Sequence, residues 1–206
     1  MRRWAGILIA GCCATTAHSA SLQEALDRYA AGDAASAASI YADLAGQGDP
    51  KAQFNLALMF YAGEGVPQSW TDSFRWAWRA KLNGVEQAEI LLGRIDASIG
   101  KPEREALAEE LIAELAAPIA YGDGKAMLRM AIIAQDLLPR PDMVKAYVWQ
   151  AMAVAAGLDA AVPFREGTFR SLSEKDRIKA QSEARTTFED WCSESPAPVA
   201  SCTIVN

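Results

Sequence analysis

The residue types that most often carry catalysis are scarce in this chain. Its single histidine is His18, which lies in an N-terminal segment with the features of an export signal. Without that segment, no histidine remains for a Ser-His or Cys-His nucleophile system, a general base or a metal ligand. No glycine-rich phosphate loop follows a strand pattern either. The sequence therefore predicts a protein that is not an enzyme and that holds no cofactor or metal.

Carboxylates are the remaining groups that could do chemistry, as a pair of the kind that glycosidases use. Four acidic residues stand close together at Glu103, Glu105, Glu109 and Glu110. Their spacing favours the solvated face of a helix, because charge runs on helices usually face water. Composition alone does not exclude a catalytic carboxylate pair, however, so a glycan-binding or carboxylate-based cell-wall-active protein of the bacterial envelope stays open as the alternative function.

The four cysteines fall into two groups. Cys12 and Cys13 lie in the N-terminal segment, whereas Cys192 and Cys202 lie near the C-terminus. An even pair in an oxidising compartment favours a disulfide, so we predict a bond between Cys192 and Cys202. Two free thiols on a flexible tail are the alternative.

Residues 1–20 are typical of a secretory signal peptide. A basic start at residues 1–3 precedes an apolar run over residues 4–11, and small residues continue to Ala20. The run is too short to span a membrane. We expect cleavage after Ala20 or after Ala17, and a periplasmic or secreted protein of a bacterial envelope.

A lipid anchor is the rival interpretation of the same segment. Residues 9–12 resemble the lipobox of bacterial lipoproteins, in which Cys12 would be acylated. The apolar run before Cys12 is short, and Cys13 would be left as a spare thiol. These two features favour the plain secretory signal.

Composition and charge bound the classes of partner. The chain has 206 residues, of which 51% are hydrophobic and 22% charged, as in globular proteins. Removal of Arg2 and Arg3 with the signal leaves 18 basic against 26 acidic residues, a net charge of −8. An acidic protein is not expected to bind nucleic acid or an anionic membrane face.

The central part of the chain repeats itself. Three residues recur at a spacing of 36: Gly48, Ala52 and Leu56 return as Gly84, Ala88 and Leu92. Three more recur at a spacing of 73: Phe74, Trp76 and Gly84 return as Tyr147, Trp149 and Gly157. Such periods are typical of stacked helix-turn-helix hairpins. We therefore predict an all-α fold, an α-α superhelix that forms a short solenoid of about four hairpins.

Helix start signals agree with this interpretation. Asp49 can cap a helix with Pro50 at its first position, and the run from Ser173 to Asp176 forms a capping box. The predicted helices are 22–31, 34–47, 50–62, 70–83, 86–98, 102–120, 124–137, 142–156 and 173–191. Residues 21–192 would form the solenoid with a C-terminal capping helix, and residues 193–206 a flexible tail.

The segment from Ala52 to Val66 resembles the signature of the Sel-one-like repeat (SLR) family, a relative of the tetratricopeptide repeats. It has an alanine, then Leu56-Ala57, an aromatic residue and a Gly-Glu-Gly-Val turn. Ala57 replaces the usual glycine and Phe60 the usual tyrosine. The match is strong over residues 48–84 and partial over 85–121 and 124–157. It implies a superhelix with a concave binding face and an adaptor that holds other proteins together.

Four residues are candidates for partner binding. Trp78 lies two residues from Trp76 and points roughly 200° around the helix from it, so it is predicted to be exposed if Trp76 faces the core. Packing against the adjacent hairpin is the alternative for Trp78. Gln53, Asn55 and Arg129 stand at positions that line the concave groove in the SLR family; plain solvent-exposed surface is the alternative for each. We expect an exported scaffold that binds an envelope protein or peptide in this groove.

Overall fold

The structure is a computed structural model that describes residues 21–196 and 202–203. These residues form an all-α superhelix in which successive helices pack side by side, and they include no strand. The predicted fold class is therefore confirmed. The predicted signal peptide and the lipid-attachment cysteine, Cys12, lie outside the described residues.

Ten α-helices follow one another along the described chain. They are α1 Leu22–Ala30, α2 Ala34–Gly46, α3 Pro50–Ala62, α4 Trp70–Leu82, α5 Gln87–Ile95, α6 Lys101–Ala120, α7 Gly124–Ile132, α8 Met143–Ala155, α9 Val162–Ser171 and α10 Glu174–Glu194. Short 3₁₀ turns cover Asp96–Ser98 and Asp159–Ala161, and a π-helical turn over Ile133–Leu137 extends α7. The sequence did not indicate α9, whose Gly167 and Thr168 are poor helix formers.

Glycines mark the turns between one hairpin and the next. Gly48, Gly84 and Gly157 have φ angles of 91°, 89° and 92°, as predicted for glycines that end a helix. Gly122, with a φ of 84°, ends α6 in the same way and was not identified from the sequence. These four glycines divide the chain into units of similar length, so the repeat is a property of the turns as well as of the helices.

Side-chain caps begin the helices where the sequence indicated them. Asp49 Oδ1 accepts a hydrogen bond from the Ala52 amide at 2.8 Å, with Pro50 at the start of α3. Ser173 Oγ accepts from the Asp176 amide at 3.2 Å and donates to the Asp176 carboxylate at 2.7 Å. Because these bonds satisfy amides that have no partner within the helix, they fix the first residue of α3 and of α10.

The core consists of two large apolar clusters and a small one. The first cluster joins α1, α2 and α3 around Tyr41, Leu56 and Met59. The second runs from α3 to α10 and includes Phe74 and Met152. Fully buried alanines on most of these helices allow close helix packing. The small cluster holds α8, the end of α9 and α10 together.

The aromatic residues of the repeat lie in or beside these clusters. Phe74 and Tyr147 are buried, whereas Phe60, Trp76 and Trp149 are half-buried. Trp76 packs against both large clusters and so connects the α1–α3 cluster to the remainder of the core.

The C-terminal end is held by α10 and a disulfide. Trp191 is buried and its Nε1 donates to the Ile119 carbonyl at 2.9 Å, which joins α10 to the end of α6. Cys192 is bonded to Cys202 with the two Cα atoms 5.5 Å apart, as predicted. Although a flexible tail was expected from residue 193, α10 continues to Glu194 and Cys202 packs into the larger cluster. The other tail residues, 197–201 and 204–206, lie outside the described residues.

Reduction of this disulfide is expected to destabilise the protein moderately. The bond closes a loop of 10 residues, and the loop-entropy model gives roughly 2–3 kcal/mol for a loop of this size. Urea unfolding followed by Trp fluorescence, with and without a reductant, measures the difference. A Cys192→Ser, Cys202→Ser double variant serves as the reductant-insensitive control. An unchanged urea midpoint after complete reduction, verified by thiol titration, would contradict this expectation.

Candidate partner-binding surface

A pocket between α1 and α3, which we call the α1–α3 pocket, has a volume of about 310 Å³. Its lining is Leu26, Tyr29, Tyr41, Asn55, Leu58, Met59, Tyr61, Ala62 and Glu64. Among these, Leu26, Tyr29 and Leu58 are 43%, 44% and 39% exposed. Single exposed apolar side chains are common on protein surfaces, but a cluster in one concavity is typical of a binding site.

The helices explain why these side chains meet. Leu26 and Tyr29 stand three residues apart and therefore share a face of α1, while Ala25 turns into the first core cluster. Leu58 is exposed on α3, between the buried residues Ala57 and Met59. α1 and α3 are the first helices of successive hairpins, so the pocket arises only when the two hairpins stack.

Polar groups at the pocket are held in fixed positions. The Tyr29 hydroxyl donates to the Glu64 carboxylate, which connects α1 to the turn after α3. This hydrogen bond and the negative charge of Glu64 raise the pKa of Tyr29. Burial raises the pKa of Tyr41, while its hydrogen bond with Asn55 opposes part of that effect. Both tyrosines are therefore neutral at physiological pH, and Glu64 is the one charged side chain among the lining residues.

Asn55 is the predicted partner-binding residue that the structure places in this pocket. It is half-buried and forms a hydrogen bond with Tyr41, another lining residue. The neighbouring candidate Gln53 faces a different part of the molecule. The exposed residues Leu26, Tyr29 and Leu58 were not identified from the sequence, because nothing in their local spacing shows that α1 and α3 lie side by side.

A second concavity, the inter-hairpin groove, contains the other two polar candidates. It lies between the end of α2, α4, α6 and α7 and has a volume of about 370 Å³. Gln53 is 3% exposed; its Nε2 donates to the Ala45 carbonyl at 3.2 Å, and its Oε1 accepts from Asn83 at 2.9 Å. Arg129 donates to Asn83 Oδ1 at 2.7 Å and to the Leu82 carbonyl at 3.0 Å. Gln53 and Arg129 therefore line a groove, but their polar groups join α2, α3, α4 and α7 to one another.

Ion pairs join α4 to α6 beside this groove, which Arg79 and Glu114 line. Arg79 contacts Glu110 at 2.7 Å and Glu114 at 2.5 Å, and Arg75 contacts Glu110 at 2.5 Å. Burial alone would raise the pKa of Glu110, but the hydrogen bonds and charges of Arg75 and Arg79 bring it below its ordinary value. Glu110 is therefore ionised at neutral pH. The other three acids of the predicted charged face, Glu103, Glu105 and Glu109, are exposed as expected.

The prediction that Trp78 is exposed is wrong. Trp78 is 3% exposed and packs with Phe74 in the larger cluster, with ring centroids 6.1 Å apart. Lys81 Nζ lies 4.8 Å from the centre of the Trp78 ring. The physical reason is that α4 has neighbours on more than one side. Trp76 faces the junction of the two clusters, and the opposite face of α4 is covered by later helices.

Two further findings concern the described part of the chain. No group of three or more His, Cys, Asp or Glu side chains there is arranged to hold a metal ion. Within the same residues, no helix combines the length and the apolar character needed to cross a bilayer.

No protein-family model matches this chain, and no curated protein matches it.

Proposed function

We propose that this protein is a non-catalytic scaffold that binds a segment of another protein in the α1–α3 pocket. The observation that carries this proposal is the exposure of Leu26, Tyr29 and Leu58 around one concavity. When a partner removes apolar side chains around a pocket from water, their burial stabilises the complex. Tyr29 suits such a surface because a tyrosine offers a large contact area with few rotatable bonds.

The chemistry of the pocket indicates what kind of segment it binds. A volume of about 310 Å³ accommodates one or two apolar side chains of a partner. Asn55 and Glu64 offer hydrogen-bonding groups to a backbone that passes over the rim. A short peptide segment with an aliphatic or aromatic anchor satisfies both features.

Family resemblance and the disulfide support the wider proposal. The chain would belong to the SLR family of adaptors, on the strength of the repeat residues 48–84 and the hairpin architecture. The Cys192–Cys202 bond is typical of an oxidising compartment, which favours a periplasmic or secreted protein exported by the signal in residues 1–20. Despite partial burial, Arg75 and Arg79 hold the pKa of Glu110 below its ordinary value, which argues against Glu110 as a glycosidase general acid, a role that needs a raised pKa.

Capture of the partner from cells tests this proposal. The full chain with a C-terminal tag is expressed in a bacterial host that encodes it, and mild crosslinking precedes purification from the envelope fraction. We expect one envelope protein to be enriched at close to equal stoichiometry. A Leu26→Ser, Leu58→Ser double variant is expected to lose at least nine tenths of that partner, because it removes two apolar contacts without disturbing the core.

The matched control makes the same change elsewhere. Ile90 and Ile178 are 65% and 67% exposed and lie outside the pocket lining. An Ile90→Ser, Ile178→Ser double variant should retain the partner at the wild-type level. Loss of the partner from both double variants, or from neither, would contradict binding in the α1–α3 pocket. Recovery of cell-wall glycan in place of a protein would favour the alternative function.

A further inference from the structure

A third concavity, which we call the Gln150 pocket, lies among α4, α5, α7, α8 and α9 with a volume of about 350 Å³. Lys81, Glu89, Ile132, Asp136, Gln150 and Phe164 are the lining residues that matter for its chemistry. Its lining comes from α5 and α7, the first helices of successive hairpins, and also from the second helices α4 and α8, which contribute Lys81 and Gln150.

Gln150 gives this pocket an unmet hydrogen-bonding requirement. The side chain is 4% exposed, and its Oε1 is buried without a hydrogen-bond donor. A buried amide oxygen without a donor destabilises a protein, and such atoms are rare in folded chains. Gln150 also lines the pocket, so a small rotation of its side chain toward a bound ligand would let an N–H or O–H group of that ligand supply the missing donor.

The charges around the pocket favour a cationic donor. Three carboxylates, those of Glu86, Glu89 and Asp136, line the pocket together with one ammonium group, that of Lys81. Lys81 Nζ contacts Asp136 at 2.9 Å and Glu89 at 3.9 Å, so the local excess is two negative charges. The whole chain has the same sign, with a net charge of −6. A positively charged group is attracted to such a rim, and an anion is repelled.

The apolar wall sets the shape of the ligand. Phe164 is 57% exposed, and Ile132 packs at the edge of the larger core cluster. A chain of methylene groups can lie against these two side chains while the charged group at its end stays in polar surroundings. A guanidinium or ammonium group can also stack on the Phe164 ring.

We propose that the Gln150 pocket binds a lysine or arginine side chain of a partner protein. The cationic N–H group donates to Gln150 Oε1, the methylene groups pack against Phe164 and Ile132, and Glu86 and Glu89 attract the charge. This inference rests on the proposed scaffold function and adds that the bound segment of the partner is basic.

A titration with blocked amino acids tests this inference on the purified, isotope-labelled chain. The probes are the N-acetyl methylamides of lysine, arginine, norleucine and glutamate, followed by NMR at the side-chain amide of Gln150. Lysine and arginine are expected to bind at least tenfold more tightly than norleucine, which has a similar length but no charge. Their binding should weaken severalfold between low and physiological salt, since the attraction is electrostatic.

A matched pair of variants locates the site. Gln150→Leu removes the amide at similar volume and should weaken binding of the lysine probe at least fivefold. Gln181→Leu, on the exposed face of α10, should leave that binding unchanged. Equal binding of norleucine and lysine, or no shift with any probe, would overturn the inference. If either occurs while the capture experiment still yields a pocket-dependent partner, the scaffold function stands with a partner of different chemistry. If no partner is captured but lysine binds at Gln150, the scaffold function fails independently of the pocket's cation preference.

Discussion

Replacing Trp78 with alanine is expected to lower the free energy of unfolding by about 3–5 kcal/mol, the range seen for large aromatic residues removed from a packed core. Trp78 is 3% exposed and contacts Phe74 within the larger cluster, so its loss leaves a cavity that the neighbouring helices cannot close. Urea unfolding followed by circular dichroism measures the effect. An exposed partner anchor at this position would instead lose affinity and keep its stability.

Two substitutions on the same helix serve as controls. Trp78→Phe keeps most of the packing and removes the indole Nε1, which is buried without a hydrogen-bond partner, so we expect a loss below about 1.5 kcal/mol. Trp70→Ala removes a side chain that is 46% exposed and should cost clearly less than Trp78→Ala. Equal effects of Trp70→Ala and Trp78→Ala would contradict the position of α4 between its neighbours.

Replacing Gly65 with alanine is expected to destabilise the protein by about 2–5 kcal/mol. Gly65 has a φ of 71°, a backbone conformation that costs roughly 1–2 kcal/mol for a residue with a Cβ atom. A Cβ atom here would also lie 2.5 Å from the Ala34 carbonyl carbon and overlap its oxygen. The clash is with backbone at the start of α2, so the turn after α3 would have to move away from the first hairpin, at a further cost of about 1–3 kcal/mol.

Gly32 provides the matched control for the cost of the positive φ angle alone. Its φ is 83°, and a Cβ atom added there would meet nothing within 4 Å. Gly32→Ala should therefore cost only about 1–2 kcal/mol. Thermal and urea unfolding of the two variants give the difference. Equal losses would show that the close approach of Gly65 to α2 contributes nothing to the stacking of the first two hairpins.

Local signals explain why so much of the fold was predictable from the sequence. A capping aspartate such as Asp49, or a glycine such as Gly84 at the end of a helix, acts within a few residues of itself. The helix boundaries therefore agree closely with the predicted ones for α2, α3, α4 and α6. The repeat of these signals at a spacing of 36 residues indicated that the hairpins are alike, and hence that they stack.

The contacts between hairpins were harder to predict because they join residues that are distant in sequence. The direction of Trp78 around α4 could be read from helical geometry, but the number of helices packed around α4 could not. Arg79 meets Glu110 and Glu114, which lie 31 and 35 residues further along the chain. A spacing rule that applies within one helix gives no information about such pairs.

The residues of the candidate binding surface also divide into those that a sequence pattern identified and those that depend on contacts between hairpins. Asn55 was identified because the SLR resemblance assigns its position to a groove, and it does line the α1–α3 pocket. Leu26 and Leu58 come from different hairpins, and each alone resembles an ordinary surface residue. Their significance follows only from the stacking of α1 beside α3. Gln53, two residues from Asn55, has its amide engaged between hairpins and so contributes to the stability of the solenoid.

Site-specific photocrosslinking in living cells tests the central claim most directly, namely that the α1–α3 pocket binds another protein. A photoreactive phenylalanine derivative is placed at Leu58, in the pocket, and separately at Ile178, which is exposed on α10. We expect one discrete crosslinked protein from position 58, which is absent from position 178 and is lost when Leu26→Ser is also introduced. The absence of a crosslink at position 58, or the same products from both positions, would contradict it.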